Sequence, residues 1–93
     1  MNRRTLPNNQ GMLFIWENSQ TRCFWMKGTP INLDIAFLTA DFKITSIQSM
    51  QANSNKRTCS QQPAHYAVEM PANWFTKNQV GTSDTLNSLK ELR

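Results

Sequence analysis

The sequence predicts a mostly β domain of the α+β class, because of its length and the arrangement of its apolar residues. The chain has 93 residues, of which 39% are hydrophobic and 10% aromatic. This is enough for one domain with one core and too little for two, so we expect a single domain over residues 1–93. The apolar residues fall in short runs rich in β-branched and aromatic side chains, separated by Gly, Pro, Asn and Asp. Such runs are typical of strands joined by turns.

The individual strands follow from these apolar runs. The first run, MLFIW, lies between Gly11 and a polar turn, which indicates a short buried strand. The second run, RCFWMK, follows closely enough for a hairpin. Both of its alternating faces carry apolar side chains, so this strand is either covered on both sides or displays an apolar strip. The predicted strands cover residues 12–16, 22–27, 32–38, 43–50 and 65–70.

The other segments are predicted to be loops and a short helix. Residues 1–10 are polar and are predicted to be an irregular N-terminal segment. Residues 51–64 form a polar connection longer than most in compact domains, so we expect a long loop there. Residues 71–79 begin with proline and are predicted to form a short helix. Residues 82–93 fit a helix and a closing strand equally well.

The charge pattern argues against a nucleic-acid partner. The formal net charge is +4, from ten Lys and Arg against six Asp and Glu. The basic residues are scattered apart from two adjacent pairs, at 3–4 and 56–57, whereas nucleic-acid surfaces cluster them beside stacking aromatic residues. We therefore expect no nucleic-acid partner. No apolar run approaches the ~18 residues of a membrane-spanning helix, so we expect a soluble chain without membrane insertion.

The two cysteines, Cys23 and Cys59, leave two interpretations open. They can form one disulfide, whose geometry the sequence does not reveal, or they are two free thiols, which is the interpretation that the sequence favours. A metal site is not expected, because the cysteines are far apart and His65 is the one histidine. We likewise expect no cofactor.

Four motifs occur in an order that resembles a known family. The sequence reads GMLF, then FWMKGTPINLDIAFL, then PAHYAVEMPANWF, then VGTSDTL. This order and its gaps resemble the domain of unknown function 192 family over nearly the whole chain, to about Leu86. The chain departs from the family pattern at Gly28, where Asn is usual, at His65, where Arg is common, and at Ser83. The residues that match the family motifs are Phe24, Trp25, Met26, Lys27, Thr29, Leu33, Asp34, Ile35, Pro63, Ala64, Tyr66 and Glu69.

The resemblance implies a compact, barrel-like antiparallel or mixed sheet with one or two short helices, and it implies no mechanism. It also implies a further strand before residue 1, because residues 1–7 resemble the end of the helix that follows such a strand. Without that strand a sheet edge would be unfilled, which favours a homodimer. Family members are often preceded by an export signal, so a periplasmic or secreted location is expected if one precedes this chain. The sequence leaves the location open otherwise.

Charged residues within apolar segments are the candidates for function, because Lys and Asp are rarely buried unpaired. In one interpretation they form a small cleft, in which Lys27 binds an anionic group and Trp25 forms an apolar wall. In the other, which the sequence favours, Lys27 and Asp34 form a structural ion pair. The candidate binding residues are Trp25, Lys27, Thr29, Asp34, His65 and Glu69.

These residues favour a noncatalytic binding or accessory module with an unidentified ligand or protein partner. No catalytic residue is predicted, because the sequence has no nucleophile elbow, Gly-rich phosphate loop or closely spaced carboxylate pair. A dyad of Cys59 and His65 lacks an orienting third group. The alternative is a small hydrolase-like enzyme that uses the Lys, Asp and Glu cluster on a small anionic or carbohydrate substrate.

Overall fold

The computed structural model describes residues 2–5 and 11–87 and confirms a mostly β fold. Seven strands and one short helix lie in this part of the chain. In chain order they are β1 (Asn2–Thr5), β2 (Met12–Gln20), β3 (Cys23–Trp25), β4 (Leu33–Leu38), β5 (Ile44–Met50), β6 (Arg57–Cys59), β7 (Ala64–Pro71) and α1 (Trp74–Lys77).

The strands form a main sheet and a smaller one. The main sheet has the order β1-β2-β7-β4-β5, and β3 pairs with β6 in a two-stranded sheet that we call the side sheet. Every pairing in the described residues is antiparallel, so of the two predicted sheet types, antiparallel or mixed, the structure has the antiparallel one. The predicted barrel is not found either, because the main sheet is open in the described part of the chain, with β1 and β5 at its edges.

Apolar side chains cover both faces of the main sheet. Along β4 the odd-numbered residues, such as Phe37, face the side sheet, and the even-numbered residues, such as Leu38, face α1 and residues 80–86. We call these the side-sheet face and the helix face. Because both faces are covered, β4 is buried from residue 34 to residue 38. This explains why the segment reads as an almost continuous apolar run.

Three segments differ from the prediction. The sequence predicts no strand in residues 1–10, yet Asn2–Thr5 pair with β2 as an edge strand, whose polar composition gives no apolar signal. The predicted loop over 51–64 contains β6, which is too short and polar to be recognised. The helix α1 covers four residues, fewer than predicted, and residues 88–93 of the predicted C-terminal element lie outside the described residues.

Candidate binding site

A disulfide between Cys23 and Cys59 cross-links the side sheet. The S–S distance is 2.15 Å and the Cα atoms are 4.0 Å apart, so the structure contains the cross-link and not two free thiols. The two cysteines face each other across the antiparallel strands, and two residues further along, Trp25 faces Arg57. Both of these side chains are exposed. The disulfide therefore fixes a tryptophan next to an arginine on the outer face of the side sheet.

The inner face of the side sheet packs on the main sheet. The centroid of the Phe24 ring lies 4.9 Å from that of Phe14 and 5.9 Å from that of Phe37. Met26 is 2% exposed in the same cluster. Because side chains alternate along a strand, this packing of Phe24 and Met26 directs Trp25 outwards.

Trp25 differs from the other tryptophans in its exposure. It is 66% exposed, whereas Trp16 and Trp74 are partly buried and pack against the two faces of the main sheet. A tryptophan has a large apolar area, and leaving it in water forgoes the free energy that burial would give. This exposure distinguishes Trp25 from the two structural tryptophans and leaves its indole accessible to a partner.

Trp25 and Lys27 border the same pocket. They line it together with Asn55, and its volume is about 240 Å³. The pocket thus has an indole as one wall, an ammonium group for an anion and an amide that can both donate and accept hydrogen bonds. The two side chains lie at one pocket, and a binding role for Trp25 and Lys27 stays a prediction.

A tight turn places Lys27 beside this pocket. The backbone N–H of Thr29 donates to the carbonyl of Met26 at 2.9 Å, and Gly28 has a φ of 78°, which is the left-handed region that glycine adopts readily. The carbonyl of Thr29 accepts the N–H of Asn53 at 2.8 Å. Thr29 therefore contributes its backbone, which ties the turn to the segment that carries Asn55.

Asp34 lies away from this pocket, on the helix face of the main sheet. It is 8% exposed, and its Oδ2 accepts the backbone N–H of Asn73 at 2.8 Å, just before α1. Lys27 is exposed on the other side of the sheet. The ion pair that the sequence favours between Lys27 and Asp34 is therefore not formed. Asp34 instead satisfies a backbone donor at the turn before the helix.

This geometry predicts a structural role for Asp34. Replacing Asp34→Ala should lower the free energy of unfolding by about 1–3 kcal/mol, because the Asn73 N–H loses its charged acceptor in a part-buried site. Asp34→Asn keeps an oxygen that can accept the Asn73 N–H, so it should lower the free energy of unfolding less than Asp34→Ala does. Urea denaturation followed by circular dichroism measures both. Equal stability of Asp34→Ala and the unmodified chain would contradict this role.

Glu69 and His65 lie on the side-sheet face of β7, opposite to Asp34. In the register of β4 and β7, Ile35 faces Glu69 and Asp34 faces Met70, so the two carboxylates are on opposite faces. His65 contacts Ser19, with 3.3 Å between Nδ1 and Oγ. The structure therefore does not assemble the Lys, Asp and Glu cluster that the hydrolase-like alternative requires.

Two residues of the site were not among the sequence candidates. Arg57 and Asn55 lie in the segment predicted to be a polar loop, and their neighbours are set by the pairing of β3 with β6. The signal that could have found Arg57 is the disulfide. Once Cys23 is placed opposite Cys59, antiparallel pairing puts Trp25 opposite Arg57.

Residues 2–5 and 11–87 contain neither a metal-binding cluster nor a membrane-spanning helix. No three or more His, Cys, Asp and Glu side chains there are grouped so that they could hold a metal ion. No helix in the same residues is long and apolar enough to cross a membrane.

A family comparison agrees with the motifs. The model of the family DUF192, described as "Uncharacterized ACR", matches residues 1–88. The chain belongs to the DUF192 family. The resemblance to this family that the four motifs indicated is thus confirmed. No curated protein is significantly similar to the chain.

Two solved structures share the fold of this DUF192 chain. One is a Sinorhizobium meliloti 1021 protein with the provisional description of transcription regulator, 29% identical with a TM-score of 0.79. The other is a protein of unknown function from Novosphingobium aromaticivorans DSM 12444, 22% identical with a TM-score of 0.78. The alignments cover 91% and 86% of this chain. The chain spans 67% of the first protein and 58% of the second.

Proposed function

We propose that the chain is a noncatalytic binding module and that its site is the outer face of the side sheet. Its partner would be an acidic segment of another protein that carries an aromatic side chain. One observation carries this proposal. Trp25 is 66% exposed, shares a pocket with Lys27, and lies across the strand pair from Arg57.

The chemistry of these three side chains suits an acidic and aromatic partner. Tryptophan and arginine are the residues that most often dominate the affinity of protein interfaces. The indole of Trp25 offers a flat surface for an aromatic ring, and Lys27 and Arg57 offer positive charge to carboxylates beside it. The net charge of +4 would further favour the approach of an acidic partner.

The site is held by the fold and not by the partner. Trp25 lies two residues from a disulfide-bonded cysteine, and its neighbour Phe24 is packed on the main sheet. Residues fixed in this way lose little conformational entropy on binding, so a small surface can give measurable affinity.

Nucleic acid is the competing partner, since one similar protein is provisionally described as a transcription regulator. Single-stranded nucleic acid binds to aromatic platforms along a basic groove. The site here offers one exposed tryptophan and two flanking cations, which is a small platform for a nucleic-acid strand. We therefore favour the acidic protein segment, and an oligonucleotide serves as the comparison.

The test is a titration of ¹⁵N-labelled protein with a synthetic peptide that has two phenylalanines flanked by glutamates. The matched peptide has lysines in place of the glutamates. We expect the acidic peptide to shift the indole N–H signal of Trp25 and to bind about tenfold more tightly than the lysine peptide, with affinity that falls as salt is added. Trp25→Ala and Lys27→Gln should each weaken binding several-fold. The control is Lys43→Gln, which removes an exposed lysine just before β5.

Three results would overturn the proposal. The first is equal affinity for the acidic and lysine peptides, which would remove the role of charge. The second is binding that shifts signals elsewhere and leaves Trp25 unchanged. The third is tighter binding at Trp25 by a thymidine oligonucleotide than by the acidic peptide, because this would make nucleic acid the partner.

A further inference from the structure

A second cavity lies between the side sheet and the edge strand β5, apart from the Trp25 pocket. Its volume is about 380 Å³, within the range of small-molecule sites. Met26 and Thr58 line it from the side sheet, and Met50 lines it from the end of β5. The two methionines are only 2% and 3% exposed, so they form an apolar floor. We call this cavity the cleft.

Thr58 places a hydroxyl on the wall of the cleft. Its side chain is on the inner side of β6, and the residue is 7% exposed. Its hydroxyl has no hydrogen-bond partner among the described residues. The hydroxyl is not enclosed, because Ser46 Oγ is the one enclosed and unpaired side-chain polar atom of the described residues. The Thr58 hydroxyl is therefore open to the cleft, where it can donate a hydrogen bond to a ligand or accept one from it.

The rim of the cleft is polar and carries one charge. Lys56 supplies that charge, and a hydrogen bond of 3.0 Å from its backbone N–H to the Ser54 hydroxyl fixes the local turn. Ser49 and Gln51 complete the rim from the β5 side, and both are exposed. The cleft thus presents several hydroxyl and amide groups, one ammonium group and a small apolar floor.

We propose that the cleft binds a small polyhydroxylated carboxylate, the chemistry of a sugar acid. The carboxylate lies at Lys56, the one cation of the cleft lining. A ligand hydroxyl pairs with Thr58, and further hydroxyls pair with Ser49 and Gln51 on the rim. The C–H face of the ligand rests on the two methionines. This site is separate from the proposed protein-binding surface.

The lining argues against two related ligand classes. A fatty acid would place its chain against a rim that is mainly hydroxyl and amide, and these groups would lose water without gaining hydrogen bonds. A phosphate monoester carries nearly two charges and is normally held by more than one charged donor or by an arginine fork, whereas the cleft lining offers one lysine.

The test compares three probes by titration of ¹⁵N-labelled protein. Gluconate has the carboxylate and the hydroxyls, glucose has the hydroxyls without the carboxylate, and hexanoate has the carboxylate without the hydroxyls. We expect gluconate to shift the amide signals of Ser49, Gln51 and Thr58 and to bind about tenfold more tightly than either other probe. Lys56→Gln should reduce the affinity for gluconate to that for glucose.

Thr58 provides a matched pair of variants. Thr58→Val keeps the shape and removes the hydroxyl, so it should weaken gluconate binding about tenfold, whereas Thr58→Ser keeps the hydroxyl and should stay within about threefold. Lys27→Gln is the control at the other pocket and should leave gluconate binding unchanged.

Hexanoate binding as tightly as gluconate would overturn the proposal, and so would unchanged gluconate affinity in Lys56→Gln. Lys56 is exposed, so Lys56→Gln keeps the test decisive even if Thr58→Val fails to fold. If gluconate does not bind while the acidic peptide still binds at Trp25, the proposal for the cleft is rejected and the proposed protein-binding function stands.

Discussion

Replacing both cysteines, by Cys23→Ser with Cys59→Ser, is expected to lower the free energy of unfolding by roughly 4 kcal/mol. The disulfide closes a loop with a sequence separation of 36 residues, and opening it returns that conformational freedom to the unfolded chain. A domain of this size has a total stability of only about 5–15 kcal/mol, so the loss is large. Urea denaturation of the oxidised chain, the reduced chain and the double variant measures it.

The same variants separate stability from binding. The double variant should also bind the acidic peptide more weakly, because Trp25 and Arg57 are held opposite each other by the cross-linked strands. Adding reductant to the unmodified chain should reproduce both losses and leave the double variant unaffected. If the oxidised chain and the double variant unfold at the same urea concentration, the disulfide does not stabilise the side sheet and this account is wrong.

The second large effect is expected from Phe37→Ala, which should lower the free energy of unfolding by about 3–5 kcal/mol. Phe37 is fully buried in the central strand β4, and its ring contacts Phe24 of the side sheet. The substitution leaves a cavity under the side sheet, so it removes both burial and packing. Denaturant unfolding measures the loss.

Trp25→Ala is the matched aromatic control for Phe37→Ala. Because Trp25 is mostly exposed, its removal should change the free energy of unfolding by no more than about 0.5 kcal/mol. The two variants should therefore differ in which property they lose, stability or peptide binding. Phe37→Ala should lose stability, and Trp25→Ala should lose peptide binding. A loss of stability at Trp25 comparable to that at Phe37 would mean that Trp25 belongs to the core.

The apolar strands were predictable from the sequence, and the pairing between them was not. Residues 33–38 form an almost continuous apolar run and residues 65–70 alternate clearly, and both lie in strands of the structure. Their pairing side by side in the main sheet depends on contacts between residues that are far apart in the sequence, and local sequence patterns do not encode such contacts. The polar strands β1 and β6 gave no signal, because their residues lack the apolar alternation on which the prediction rests.

In the candidate site, too, local proximity was predictable from the sequence and the contacts between strands were not. Trp25 and Lys27 share a strand and its following turn, so their proximity followed from the sequence, and the structure places them at one pocket. Asp34 and Glu69 lie on different strands, and whether they share a face depends on the register. Because Asp34 faces Met70, Glu69 is on the opposite face, and one residue of slip would have reversed this result.

The cross-linked side sheet also resembles a display scaffold. Two loops leave its strands, over residues 27–32 and 51–56, and they are joined by a hydrogen bond of 2.8 Å from the Ala52 N–H to the side chain of Asn32. The disulfide and the inner aromatic packing hold the strands whatever these loops contain. Changes of sequence or length in the loops can therefore alter recognition with little cost to folding. We expect variants of this chain that differ only in these loops to keep the core and to differ in what they bind.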